Sequence, residues 1–210
     1  MTAEHTCTSR SPLHGWASAF AALAPAVRLC ESPVAQVVVR TTDEDAIARL
    51  DLPSACHVRR DGADDGEVAI WLGPDEWLLC RPGIPGHEYL AEVTGRLADT
   101  RPGTYLMDAT GQRTRVLLAG EHAHTVLAHG CAIDLAPASF GANEAAQTLL
   151  AQTGVILHRT GDDPESGFAL LVRSSFADHL AHWLLDAAAE YCQTPAVAED
   201  RTRTEGPGHV

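Results

Sequence analysis

Apolar and polar positions recur along this chain in two periods, and each change of period marks an element. Leu13, Trp16, Phe20 and Leu23 fall at helical spacing, which predicts a short amphipathic helix near the N-terminus. Residues 34–41 (VAQVVVRT) are β-branched and predict a strand. Thr42 or Asp43 can cap the helix that follows, whose first turn carries acids where the helix dipole favours them. EVAIWLG (67–73) and EWLLCR (76–81) predict two strands of a hairpin around Gly73, Pro74 and Asp75. A helix over 87–98 places Leu90, Val93 and Leu97 on one side, and TYLMD (104–108) reads as the next strand.

The same order then begins again. RTRVLLAG (113–120) predicts a strand, and 121–129 a helix with Ala123, Val126 and Leu127 on its apolar face. Residues 146–152 and 154–159 form a second hairpin, 160–167 a turn, and 168–173 a strand. That strand runs into a helix opened by Ser175, with Asp178 as capping-box partner. Its apolar stripe is Phe176, Leu180, Trp183, Leu184, Ala187, Ala188 and Tyr191.

Two rounds of strand, helix, strands and helix predict an α+β protein. It would have two pseudo-equivalent ferredoxin-like halves, with antiparallel sheets and helices on one face of each. The boundaries expected are an N-terminal arm over 1–24, a domain over 25–192 with halves of about 25–110 and 111–192, and a disordered tail over 193–210.

With 210 residues, 45% of them apolar, the chain can build a core. Its charge is one-sided: 28 acidic residues stand against 15 basic ones, a net of -13, and every basic residue is arginine. Such a surface repels phosphate backbones and anionic membranes, so neither nucleic acid nor membrane is expected as a partner. No apolar run is long enough to cross a bilayer. WASAFAALA (16–24) has no positive cluster before it, which argues against a secretory signal, and a cytoplasmic location is expected. The six cysteines are widely spaced, without a C-x-x-C pair, and Cys30, Cys56 and Cys80 read as free buried thiols.

AGEHAHTVLAHGC (119–131) concentrates candidate chemistry: Glu121, His122, His124, His129 and Cys131. A zinc-binding helix places histidines four apart to converge on one ion, and that spacing is absent, so a solvated helix face is the plainer reading. Asp178, His179, His182 and Asp186 also lie off an apolar stripe, with His182 and Asp186 spaced for a surface pair. Asp108 and Asp134 are candidate cleft carboxylates, but each stands where an aspartate commonly organises a turn. Phosphate-binding glycine loops and a nucleophile elbow are missing. Trp71, Trp77 and Trp183 read as core, and Trp16 as the best interface tryptophan.

SPLHGW near the N-terminus, WLGPDEWLL (71–79), DATGQRTRVLLAGEHAHTVLAHGCAIDL (108–135) and VRSSFADHLAHWLLDAAAEY (172–191) occur in this order. Together they resemble the gamma subunit family of heterotetrameric sarcosine oxidase, itself related to the folate-binding fold of the glycine-cleavage T protein. The resemblance implies a complex that oxidises sarcosine to glycine and passes the methyl carbon to tetrahydrofolate, with hydrogen peroxide as co-product. It implies alpha, beta and delta subunits as partners: alpha carrying NAD and the folate site, beta FAD and FMN, and delta zinc. No cofactor, metal or catalytic residue is implied for this chain. The helix carrying Leu13, Trp16 and Phe20 could equally cover the chain's own core, and these three residues are then candidates for a clasp on a larger subunit. The rival expectation is a stand-alone folate-binding one-carbon protein using Asp108 or Asp134.

Overall fold

Short β-branched and leucine-rich runs seed two sheets, and amphipathic helices cover the face that each sheet turns outward. The computed structural model describes residues 10–62, 66–97, 103–161, 163 and 166–192. From the N-terminus run α1 (Ala17–Ala21), β1 (Arg28–Glu31), β2 (Ala35–Arg40), α2 (Glu44–Arg49) and β3 (Val58–Arg60). Then follow β4 (Val68–Gly73), β5 (Glu76–Arg81), α3 (Gly86–Arg96) and β6 (Tyr105–Asp108). The second series is β7 (Arg113–Ala119), α4 (Ala123–Ala128), β8 (Ala145–Leu150), β9 (Thr153–Arg159), β10 (Phe168–Arg173) and α5 (Ala177–Ala188).

These strands make two five-stranded sheets, β3-β4-β5-β2-β6 and β1-β7-β10-β9-β8. Every described pairing is antiparallel. Read from its other edge, the second sheet repeats the first, with β8, β9, β10, β7 and β1 standing for β3, β4, β5, β2 and β6. Each half is therefore the split β-α-β arrangement with one added edge strand, the α+β fold that the doubled pattern predicts. The halves are not separable at residue 110, however. β1 comes from the first 31 residues, yet it completes the second sheet by pairing with β7.

Alternation along the strands distributes three cores. Val37, Val39, Trp77 and Leu79 face α2 and α3, where Tyr89 and Val93 meet them. Val116, Leu118, Leu170 and Val172 face α4, α5 and the N-terminal arm. Between the sheets, Val38, Ile70 and Leu78 of the first pack on Ile156 and Leu171 of the second. The layers run helix, sheet, sheet, helix. Gly120, at φ +110°, lies so close to the Ala26 carbonyl that a side chain there would collide with backbone, which ties the start of α4 to the arm.

Several local expectations change. β1 and β3 are absent from the pattern because RLCE and VRR are too short and too charged to show alternation. Ser175 does not cap α5; a 3-10 turn over Ser174–Phe176 precedes it, and Ser174 Oγ donates to the Gly111 carbonyl at 2.9 Å. Phe176 is consequently exposed rather than part of the buried stripe. Cys80 is buried, with burial pushing its thiol up to about 12, but Cys30 and Cys56 are exposed. Trp77 is core, its Nε1–H donating to the Pro53 carbonyl at 2.8 Å, whereas Trp71 and Trp183 are only partly buried. The tail expected over 193–210 and the first nine residues of the arm lie outside the described residues.

Candidate functional site

The arm residues do different jobs. Leu13 and Phe20 are each 2% exposed and belong to the core over the second sheet, together with Leu23 and Val27. As apolar side chains already sealed inside their own chain, they are not free to grip another. Trp16 stays partly open. Its Nε1–H donates to Asp178 Oδ1 at 3.1 Å, and its ring meets His182 edge-on at 4.4 Å. His182 approaches Asp178 at 3.8 Å, one turn back along α5, rather than Asp186. This corner of Trp16, Asp178 and His182, with exposed Phe176 nearby in sequence, is what remains of the clasp expected on Leu13, Trp16 and Phe20.

The polar stretch 119–131 divides between two places. His122 stacks on Tyr191 at 4.6 Å, and His129 Nε2 lies 3.0 Å from the Tyr191 hydroxyl. Their seven-residue spacing puts both on one side of α4, as expected, but around a tyrosine. Glu121 and His124 instead border a cavity of about 610 Å³, shared with Arg28, Arg159 and Phe168. Arg159 is buried there with its guanidinium 4.9 Å above the Phe168 ring, and it donates to the carbonyls of Phe140 and Leu135 at 2.9 Å. Among the described residues no three His, Cys, Asp or Glu side chains gather closely enough to hold a metal.

Asp108 and Asp134 both organise turns. Asp108 Oδ1 accepts from the Thr110 N–H at 2.9 Å, and Asp134 Oδ1 from the Ala136 N–H at 2.9 Å. A hydrogen bond from Ser139, then that backbone bond, hold the Asp134 carboxyl below its ordinary value.

Two titratable groups that the sequence pattern did not single out are more deeply set. Glu67 lies at the start of β4 and is almost buried. It accepts from Tyr89 Oη at 2.7 Å, Arg59 Nη2 at 2.7 Å and Arg96 Nη2 at 2.5 Å. Burial alone would raise its carboxyl. The bonds from Arg96, Tyr89 and Arg59 outweigh burial and bring it down to about 2. Burial and the adjacent carboxylate push Tyr89 far up, so its hydroxyl stays a donor. His158, between the sheets, is pulled down to about 4 by burial, and its Nδ1–H donates to the Arg159 carbonyl at 2.8 Å. Alternation alone hides both: Glu67 precedes an apolar run, and His158 occupies a core-facing strand position without an apolar side chain.

Comparison with known proteins adds the following. A model of the sarcosine oxidase gamma subunit family matches residues 42–190. Sarcosine oxidase subunit gamma of Corynebacterium sp. (strain P-1) is 41% identical over 134 residues, 64% of this chain and 63% of that protein. The Arthrobacter sp. subunit of that name is 39% identical over 140 residues, 65% of this chain and 64% of its own length. The chain thus spans less than two thirds of the length of these relatives. A chain of heterotetrameric sarcosine oxidase from Corynebacterium sp. U-96, solved in complex with pyrrole 2-carboxylate, superposes with a TM-score of 0.76 at 33% identity. That match covers 90% of this chain and 99% of that chain. Glycine cleavage system aminomethyltransferase T from Bartonella henselae shares the fold, with a TM-score of 0.59 at 17% identity, over 80% of this chain and 48% of that one.

Proposed function

The chain belongs to the sarcosine oxidase gamma subunit family, and from that premise we propose that it is the gamma subunit of a heterotetrameric sarcosine oxidase, with no reaction centre of its own. The single observation that carries this reading is the superposition on a chain of the Corynebacterium complex over 99% of that chain's length. In the proposed assembly, alpha, beta and delta subunits hold NAD, tetrahydrofolate, FAD, FMN and zinc. The complex takes sarcosine, oxygen and tetrahydrofolate to glycine, 5,10-methylene-tetrahydrofolate and hydrogen peroxide, in the cytoplasm.

Several side chains that could do chemistry are engaged in structure. Glu67 is held as a carboxylate by three donors, Arg159 is stacked and bonded to carbonyls, and Asp108 and Asp134 close turns. The role that suits such a chain is to pack on the larger subunits and help enclose the path of the oxidised one-carbon unit. Enclosure matters because water would release that carbon as formaldehyde.

The test is affinity purification of the tagged chain from its native host, with co-eluting proteins identified and flavin absorbance recorded. Stoichiometric recovery of three further subunits with a flavin spectrum is the expected result. A chain that elutes alone, or that turns over sarcosine or a reduced folate by itself, overturns the reading.

A further inference from the structure

Strand pairing sets Leu149, Gly154, Arg173 and Arg113 side by side across β8, β9, β10 and β7. Leu149 faces Gly154, Arg173 faces Arg113, and the β9–β10 register reaches Val155 and Val172, one step away. All four stand on the face of the second sheet that looks toward the first. The next row inward on that face is Gln147, Ile156, Leu171 and Arg115. There the first sheet closes over Ile156, Leu171 and Arg115, which are buried. The Gln147 amide donates to the Leu72 carbonyl at 2.7 Å, a contact with the first sheet in this covered row. The outer row is left open: Leu149 is 54% exposed, Arg173 is exposed, and a Cβ built on Gly154 meets nothing within 4 Å. A groove of about 500 Å³ runs along it.

Its chemistry is unusual for this chain. Like charges directly opposite on paired strands repel, yet Arg113 and Arg173 are paired so in a protein of net charge -13. Burial and then Arg173 pull the Arg113 guanidinium down, Cys80 and Glu76 of the facing sheet partly oppose this, and Arg113 itself bonds the Gln112 side-chain oxygen. A carboxylate supplied from outside would relieve the repulsion with charge-assisted hydrogen bonds. The gap over Gly154, beside an exposed leucine, would take an apolar side chain.

We propose that this row docks an acidic segment of a partner subunit, with a carboxylate between Arg113 and Arg173 and an apolar side chain over Gly154 against Leu149. The proposal rests on the gamma-subunit reading and names the surface through which that role is exercised.

The test co-expresses the full chain with the alpha, beta and delta subunits encoded by the same host and measures how much of each co-purifies. Two variants probe the row: Arg113→Glu combined with Arg173→Glu, and Gly154→Trp, which fills the groove without touching a charge. Arg28→Glu, on the edge strand β1, is a single charge-reversal control. Thermal unfolding of each isolated chain confirms that it folds. The expected result is a tenfold or greater loss of co-purified partner for both row variants, with wild-type recovery for Arg28→Glu. If the wild type assembles and both row variants assemble equally well, the docking row is wrong and the subunit reading stands. If the wild type itself recovers no partner, the subunit reading fails and the proposal with it. Should the isolated wild-type chain sediment as a dimer that the row variants split, the row is a self-interface and the partner assignment is overturned.

Discussion

β1 and β6 occupy the same place in the two pseudo-equivalent sheets, each beside the strand that opens its half, but different segments cover them. β1 lies under the arm, with Leu29 buried among Leu13, Phe20, Leu23 and Val27. On the same face β6 has α3, against which Leu106 is only partly buried, and its opposite face is open, with Tyr105 74% exposed and Met107 54%. Chain order explains the difference. β6 follows α3 directly and reaches its edge as the sheet is completed. β1 comes from the other end of the polypeptide, and the arm that precedes it folds over the outer face of the second sheet. The lesson is that the arm is part of the core of one half, and that a strand's role is set by where the chain can deliver it rather than by its own short sequence.

The sharpest way to break this comparison is to truncate one side chain at each edge. Phe20→Ala removes a fully enclosed ring and should lower stability by ~3–5 kcal/mol. Tyr105→Ala removes a larger but mostly wet ring and should stay within ~0.5 kcal/mol. Urea unfolding of both variants checks it; equal losses would mean that the arm is only loosely seated or that the Tyr105 face of β6 is covered.

The two outer layers differ as well. Over the second sheet, α4 and α5 meet the strands through Val126, Leu127, Leu180 and Leu184. Over the first, α3 is fastened partly by charge, since Arg96 and Tyr89 both reach Glu67. Breaking a buried pair leaves its partners uncompensated. Arg96 is still 31% open to water, so Glu67→Gln should cost ~3 kcal/mol, the low end of what breaking a buried pair costs. The pH dependence carries a signature. Glu67 sits at about 2 in the folded chain against an ordinary 4.5, so its contribution is complete above about 4.5 and is lost as pH falls toward about 2. His158 acts in a different window. It is held near 4 when folded against an ordinary 6.5, so the unfolded chain takes the proton first and stability declines as pH drops from 6.5 to about 4. Melting temperature against pH should show both limbs in the wild type. In Glu67→Gln only the upper one should survive.

Much of this was legible from periodicity. The two hairpins, the strands around Val37–Val39 and Val116–Leu118, and the apolar face of α4 follow from spacing, as do most of those of α3 and α5, where Tyr89 rather than Leu90 is buried and Phe176 is exposed. β1 and β3 were not legible, since three or four residues with two charges carry no period, and their pairing is decided by distant partners. The arm residues were recognised as apolar, with core cover and a clasp both open: helical spacing shows which residues share a face, not whether that face looks inward. The Arg113–Arg173 pair escaped for a related reason. Sixty residues separate them, and only the register of β7 against β10 sets them opposite each other. The Glu67 cluster likewise joins β3, β4 and α3, elements with no common motif.

The smallest contrast lies at the helices that follow the opening strands of the two halves. Asp43, in extended backbone at φ -79° and ψ 116°, accepts from the Asp45 N–H at 2.9 Å and caps α2, with Glu44 and Asp45 in the first turn. His122 stands at the same place before α4, at φ -97° and ψ 5°, with no side-chain cap and no acid in the first turn. Asp43→Ala should therefore lower stability by ~1 kcal/mol, whereas His122→Ala removes no cap and loses only the stacking on Tyr191. The Asp43 cap is itself imperfect. Its Oδ2 is buried without a partner, and a buried acceptor left unmade is a standing penalty. Asp43→Ser keeps one capping oxygen and removes the orphan, so it should recover most or all of what Asp43→Ala loses. If serine proves as costly as alanine in thermal unfolding, the aspartate holds α2 through its charge against the helix dipole rather than through the bond to Asp45.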